Sequence, residues 1–281
     1  MKKYCDLHSH TYYSDGCHSP EYLIKECKEK KINCLSITDH DCIEVYSDKK
    51  IFDYAKKHSV ELIHGVEINC LGSEILGYYF DLTYDPLLKI ISDNFSGAND
   101  VNIQKIYWLK DNGFDISLED VEKHTGPNKK IMGTHIGMEL KNKGYAESLQ
   151  DAFVNIIKKI KVNYHPKRIT TKKTILEIIN GGGVAVLPHP WLLPRNVKED
   201  IESYLYKLQE QGLSGVETIG PHDPTEEPFI KKVKDVAKKI DLIETGGSDF
   251  HGYSLFPENK IGEFKLDYSV LDQLKNRKSY L

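Results

Sequence analysis

A chain of 281 residues, 40% hydrophobic and 28% charged, has the composition of an ordinary globular protein and the length to bury a core without disulfide staples. A net charge of −4 argues against a dedicated nucleic-acid scaffold, and no apolar run reaches the length of a membrane span. The cysteines (Cys5, Cys17, Cys27, Cys34, Cys42 and Cys70) crowd the first quarter without a CxxC pair, which speaks for reduced thiols in a cytoplasmic protein rather than a zinc knuckle or a disulfide framework. The start, MKKYCDLHSH, has no apolar stretch that would read as a signal peptide.

In chain order, Tyr4 to His10 reads as a strand. A helix from Pro20 to Lys30 follows, with Ser19 as N-cap and Pro20 at the first helical position. INCLSITDH (32–40) is a second strand, followed by a helix to Lys57. VELIHGVEI (60–68) is a third strand, and EILGYYF comes soon after. From 85 to 180 the period turns helical: VNIQKIYWLKDNG, SLEDVEKH, THIGMELKNKG and LQDAFVNIIKKI all fit. Strands return at 181–190, 212–222 and 240–252, with helices near 196–211 and 225–239 between them. Strands alternating with helices predict an α/β sheet or barrel, whose chemistry gathers at the strands' carboxyl ends.

Those strand ends carry metal-ligand chemistry. The first gives His8 and His10, with Asp15 in the following loop. The second gives Asp39 and His40, and the third gives Glu67. Later strands give His189, His222, and the pair Asp249 and His251. Residues i and i+2 on a strand share a face, so His8 and His10 can reach one ion, as can Asp249 and His251. Alone, each piece is unremarkable: a His-x-His is usually incidental, and Asp39 could simply start a turn. Together they exceed what one four-coordinate ion can use and suit two or three divalent ions, with Glu67 able to bridge a pair roughly 3.5–4 Å apart. Imidazole and carboxylate suit zinc, manganese and iron alike.

In order and spacing, DLHSHTYYSDG, ITDHD, GVEI, GGVAVLPHP and GGSDFHG resemble the motifs of the PHP (polymerase and histidinol phosphatase) superfamily, in the branch of bacterial 3',5'-nucleoside bisphosphate phosphatases, small exonucleases and related phosphoesterases. The resemblance implies a distorted (β/α)7 barrel formed by residues 1–84 and 181–281, with 85–180 as a helical insertion capping the active site. It implies that His8, His10, Glu67 and Asp249 hold one ion, Glu67 and His189 a second, and Asp15, His40 and His251 a third. Relatives usually have a histidine just before ILGY, where this chain has Glu74. Glu74 either ligates, favouring manganese or iron, or faces solvent and leaves the second site weak.

The same resemblance makes Lys167 a phosphate contact, in NYHPKR with His165 and Arg168, and keeps His135 in GTHIG and His222 in GPHDP. Arg195, in the loop after His189, is a further cation candidate. The expected reaction is hydrolysis of a small phosphate ester by a metal-bridging hydroxide. His222, Asp249 and His135 are the catalytic candidates, and His222 is the first choice to protonate the leaving alkoxide. The expected partner is a small phosphorylated substrate, with a nucleotide 3'-phosphate or a cyclic diester favoured, and neither a membrane nor a stable nucleic-acid partner. Tyr12, Tyr13 and Trp191 flank the ligands and could stack on a base. An amidohydrolase, a histidinol-phosphatase-like enzyme and a non-catalytic metal-binding module are the competing readings.

Overall fold

The computed structural model describes residues 2–163 and 166–279; His165 lies outside the described residues. One eight-stranded sheet has the order β7-β6-β5-β4-β3-β2-β1-β8. In chain order the strands are β1 (Tyr4–Asp6), β2 (Cys34–Ile37), β3 (Glu61–Cys70), β4 (Ser73–Tyr78), β5 (Val184–Leu187), β6 (Gly215–Ile219), β7 (Ile243–Gly246) and β8 (Leu266–Asp267). The sheet curls until the chain after β7 meets the chain after β1. Leu7 N donates to Gly246 O at 3.3 Å, Asp249 N to His8 O at 2.9 Å and His10 N to Phe250 O at 2.8 Å. The GGSD sequence permits this seam, because a Cβ on Gly247 would stand 2.4 Å from His8 N.

β1, β2 and β3 are parallel, as are β5, β6 and β7, whereas β4 runs antiparallel to both its neighbours. That reversal is the barrel's distortion, and it positions a functional residue. β4 begins at the end where its neighbours finish, so Glu74, paired with Asn69 across the β3–β4 ladder, lands at the mouth. β8 lies outside the closed ring, antiparallel to the start of β1.

The helices are α1 (Pro20–Glu29), α2 (Lys50–Lys57), α3 (Asp85–Asp111), α4 (Leu118–Glu122), α5 (Gly133–Asn142), α6 (Leu149–Asp151), α7 (Thr171–Asn180), α8 (Arg195–Glu199), α9 (Ile201–Glu210), α10 (Glu227–Lys239) and α11 (Val270–Ser279). Ser19 caps α1 by accepting from Tyr22 N, as expected. The single helix expected over 196–211 is instead two, broken at Asp200. α1 and α2 cover one side of the barrel through Leu23, Ile24, Ile51 and Ala55. The first half of α3, with α7, α9 and α10, covers the other through Leu87, Ile91, Ile178, Leu205 and Val233. α11 plugs the barrel floor, setting Leu271 and Leu274 among Cys5, Leu7, Val184 and Ile243.

Beyond the barrel, the second half of α3 joins α4 and α5 around a separate core that includes Ile106, Leu109, Val121, Ile136 and Leu140. Among the described residues no helix is long and apolar enough to cross a membrane.

Candidate metal centre

The scattered ligand candidates meet at the barrel mouth. His8 and His10 follow β1, and their Nε2 atoms lie 3.4 and 3.3 Å from Asp249 Oδ1, and 3.2 and 3.3 Å from Glu67 Oε2. His189 Nε2 approaches Glu67 Oε1 at 2.9 Å and Glu74 Oε2 at 3.4 Å. His251 Nε2 is 3.3 Å, and His40 Nε2 4.0 Å, from Asp15 Oδ1. His40 Nδ1 also faces Glu67 Oε2 at 3.2 Å and Glu74 Oε1 at 3.8 Å. Four groups therefore converge: His8, His10 and Asp249; His8, Glu67 and His189; His10, Asp15, His40 and His251; and His40, Glu67 and Glu74. Glu74 turns toward the cluster rather than away from it.

Backbone strain accompanies the placement. His189, between two prolines, has φ +27°, and Asp249 has φ +49°, conformations that a non-glycine residue adopts at a cost of order 1–3 kcal/mol. Burial pushes the His10 imidazole down, but the neighbouring carboxylates of Asp249 and Glu67 outweigh it and lift it to about 10. His189 is raised to about 9 because Glu67 outweighs its burial. Burial would raise the Asp15 carboxyl, yet His251 and His40 hold it well below the carboxylate range. Glu74, desolvated and beside Glu67, is pushed up to about 7.

The fit to cations can be read from unsatisfied atoms. His10 Nδ1 and Nε2, Asp15 Oδ1 and His40 Nδ1 are buried without a hydrogen-bond partner. Buried polar atoms in that condition are costly, and imidazole nitrogens aimed at shared carboxylate oxygens are the donor set of a divalent transition-metal cluster. The residues present fit such ions.

A supporting layer fixes these side chains. Glu217 on β6, which sequence reasoning missed, is buried and accepts from His8 Nδ1 at 3.1 Å and from His189 N at 2.8 Å. An ionised carboxylate can only accept, so His8 Nδ1 carries a proton and Nε2 is left to face Glu67 and Asp249. The readable sign was a lone carboxylate inside the apolar run GVETI, since a buried charge must be paired. Asp39, a ligand candidate by sequence, stands outside the cluster. It accepts from Thr11 N, Thr11 Oγ1 and Ser14 Oγ at 2.7, 2.7 and 2.6 Å, pinning the loop that carries Asp15. Thr134 Oγ1 donates to Asp15 Oδ2 at 3.0 Å, and the buried Lys130 donates to His40 O at 2.8 Å, so the helical segment grips two ligand loops.

His135, buried at the start of α5, accepts from Met132 N through Nδ1 at 3.1 Å. Burial lowers it to about 4, despite the nearby charge of Asp15, so at neutral pH the ring is uncharged with its proton on Nε2. His222 is not brought into the cluster: it lies 3.1 Å from Glu227 Oε1 and 5.2 Å, ring to ring, from Trp191. Arg195 is 90% exposed and pairs with Glu199 at 2.9 Å, directed to solvent along α8 rather than to the mouth. Trp191, only 6% exposed, packs on Gly220 and is not free to stack on a base. Arg168, beside the expected Lys167, lines a cavity of about 260 Å³ with Glu74 and His189, while Lys167 lines a neighbouring cleft.

Known proteins fit this geometry. A family model described as PHP domain matches residues 6–176. The chain is similar to the 5'-3' exoribonuclease Rnm of Escherichia coli (strain K12), 26% identical over 251 residues that span 88% of this chain and 84% of the relative. It is 21% identical to the phosphoribosyl 1,2-cyclic phosphate 1,2-diphosphodiesterase of Eggerthella lenta, over 88% of this chain and 94% of that one. It is 22% identical to the 3',5'-nucleoside bisphosphate phosphatase of Chromobacterium violaceum, over 88% and 86%. In fold it is similar to a crystal structure from Bifidobacterium adolescentis assigned as a metal-dependent phosphoesterase, with TM-score 0.85 and 24% identity over 98% of this chain and 96% of that one.

Proposed function

The chain belongs to the PHP domain family, and from that premise we propose that it hydrolyses a phosphate ester of a nucleotide: the 3'-phosphate of a 3',5'-bisphosphate, an oligonucleotide end, or a cyclic phosphate diester. Its class is that of a metal-dependent phosphoesterase, a phosphoric ester hydrolase. The finer reading rests on one observation: imidazoles and carboxylates from both ends of the chain share a mouth and leave buried nitrogens unsatisfied. In this reading two or three divalent ions (manganese, iron or zinc) are held by His8, His10, Asp249 and Glu67, by Glu67, His189 and Glu74, and by Asp15, His40 and His251. Bound there, such ions supply Lewis-acid charge to phosphoryl oxygens and lower the pKa of a water.

The chain's own residues do the rest. Glu217 holds His8 in the tautomer that turns Nε2 inward, and Thr134 orients Asp15. His135, neutral and with Nδ1 occupied, offers Nε2–H as a hydrogen-bond donor to an equatorial phosphoryl oxygen. His222, against Trp191, is the candidate to protonate the departing alkoxide. Arg168 and Lys167 supply positive charge beside the mouth. The segment built on the second half of α3 with α4 and α5 roofs the site, screening it from bulk water. The names of the relatives span an exoribonuclease, a ribose cyclic phosphate diesterase and a bisphosphate phosphatase, and their shared theme of nucleotide-derived phosphate supports the substrate class.

The test is a phosphate-release screen over adenosine 3',5'-bisphosphate, a 5'-phosphorylated oligonucleotide and cyclic phosphates, with manganese, iron or zinc in turn, alongside a panel of amides. Hydrolysis of at least one nucleotide ester is expected, lost in His8→Ala and Asp249→Ala together with bound metal. Turnover of amides with none of the esters would replace this reading with carbonyl hydrolysis.

A further inference from the structure

The cavity beside the metal centre continues under the roof. Asn69 and Arg168 line both the cavity of about 260 Å³ that touches Glu74 and His189 and a larger cleft of about 700 Å³. The larger cleft lies between β3, the middle of α3, the start of α5 and the loop at 166–168. That loop approaches α3 closely because Gly97 has no side chain: a Cβ there would stand 2.7 Å from Pro166 Cβ. The helix glycine thus brings Lys167 and Arg168 to the same cleft as Lys105, about two turns further along α3.

The charges in this cleft do not cancel. Its two acids are already engaged. Asp41 accepts from Asn69 N, Asn69 Nδ2 and Asn94 Nδ2 at 3.1, 2.8 and 2.9 Å, and Asp93 pairs with Lys89 at 3.0 Å. The cations are not. Among the described residues, the half-buried Lys105 donates only to Asn102 Oδ1, at 3.1 Å, and no carboxylate lies within ion-pair distance of Lys105, Lys167 or Arg168. Burial, with the charge of Arg168 next, pushes the Lys105 ammonium down, so two cations face one another without a counter-charge. Gly133 and Met132 bring the positive end of α5 to the same wall. Ala98, Val101, Val162 and Pro166 add an apolar stretch to the lining, beside the amides of Asn94 and Asn102. Its volume falls within the range of small-molecule sites, roughly 300–1,000 Å³.

We propose that this cleft is a second anion subsite, in which Lys105 and Arg168 hold a phosphate of the substrate other than the one being hydrolysed. The inference rests on the phosphoesterase reading and narrows it to substrates with at least two phosphates. The apolar wall takes the sugar or base between them, and Arg168, lining both cavities, joins the two subsites. The second phosphate sits either on the same sugar or on the next nucleotide of a short oligonucleotide.

The test compares wild type with Lys105→Gln and Arg168→Gln on adenosine 3'-monophosphate, adenosine 3',5'-bisphosphate and a 5'-phosphorylated dinucleotide. It also measures Kd for the same bisphosphate and dinucleotide on metal-stripped protein, which removes dependence on turnover. Wild type should prefer at least one two-phosphate substrate over the monophosphate. Each substitution should cut that preference about tenfold, mainly through KM, and weaken the corresponding Kd by a similar factor. Which of the two substrates responds more identifies the position of the second phosphate. Intact ester hydrolysis with unchanged preference and unchanged Kd in both variants would overturn the subsite and leave the phosphoesterase reading standing. No hydrolysis of any ester, with Kd still weakened, would support the subsite and remove that reading. No hydrolysis and unchanged Kd would overturn both.

Discussion

Glu217 offers the sharpest residue-scale test, because it touches candidate ligands without being placed to ligate. Glu217→Gln keeps the shape but can donate where only acceptance is wanted, disturbing His8 and the backbone of His189 together. Metal affinity should fall about 10–100-fold with the fold intact, read by chelator competition and thermal melting. Unchanged affinity would make Glu217 a packing residue. Protons give a second test. In the metal-free chain His10 is raised from 6.5 to about 10 and His189 from 6.5 to about 9, each because nearby carboxylates outweigh burial. A raised histidine stabilises the fold fully below its unfolded value, and that stabilisation is lost as pH rises through the folded value. Metal-free protein should therefore melt lower at pH 10 than at pH 7.5, a window in which Glu74, at about 7, has already titrated. Metal uptake at pH 7 must displace these protons, so its calorimetric heat should change with buffer ionisation enthalpy; equal heats in two such buffers would refute the protonated state. The ligand imidazoles were legible in sequence because each ends a strand. Lys105 was not, since only the folded chain shows that no carboxylate among the described residues pairs with it, and Glu217 left only the sign of a lone carboxylate in GVETI, its place between His8 and His189 showing in the fold alone.

At the scale of elements, the floor helix α11 and the reversed strand β4 matter most. Leu271 and Leu274 are fully buried against Cys5, Leu7 and Val184, the residues beneath the strand that delivers His8 and His10. Leu271→Ala should cost about 2–5 kcal/mol in denaturant unfolding, with metal stoichiometry kept in the folded fraction. A loss below about 0.5 kcal/mol, the range of ordinary surface changes, would mean that α11 does not plug the barrel. The alternation of strands and helices gave the α/β barrel correctly. The direction of β4 was also readable, because only Leu71 and Gly72 link β3 to β4, and Gly72 at φ +85° makes the tight turn of an antiparallel pair. The continuity of α3 was not readable. Asn94, Ser96, Gly97, Asn99 and Asp100 look like a loop, and they are helical because tertiary contacts on both halves override weak propensity. β1 and β2 proved shorter than the runs that announced them, since the ladder gives way to loop geometry after Asp6 and Ile37.

Across the whole molecule, barrel and roof meet at the site itself. Asn128 Nδ2 donates to Tyr13 O at 2.7 Å, Lys130 Nζ to His40 O at 2.8 Å and Thr134 Oγ1 to Asp15 Oδ2 at 3.0 Å. Gly126 packs so near Tyr12 that a Cβ would overlap its carbonyl. The helical segment is thus tied to the loops bearing Asp15 and His40, and Lys105, Met132 and Gly133 of the same segment line the neighbouring cleft. The account as a whole depends on ions gathered by ligands from both ends of the chain. The direct measurement is phosphate release from a nucleotide ester by metal-stripped protein as manganese, iron or zinc is added back in counted equivalents. The account predicts no release at zero equivalents and a rise that levels off at two or three. Full activity in the stripped protein, or an ester left intact at every equivalent of every metal, would contradict it.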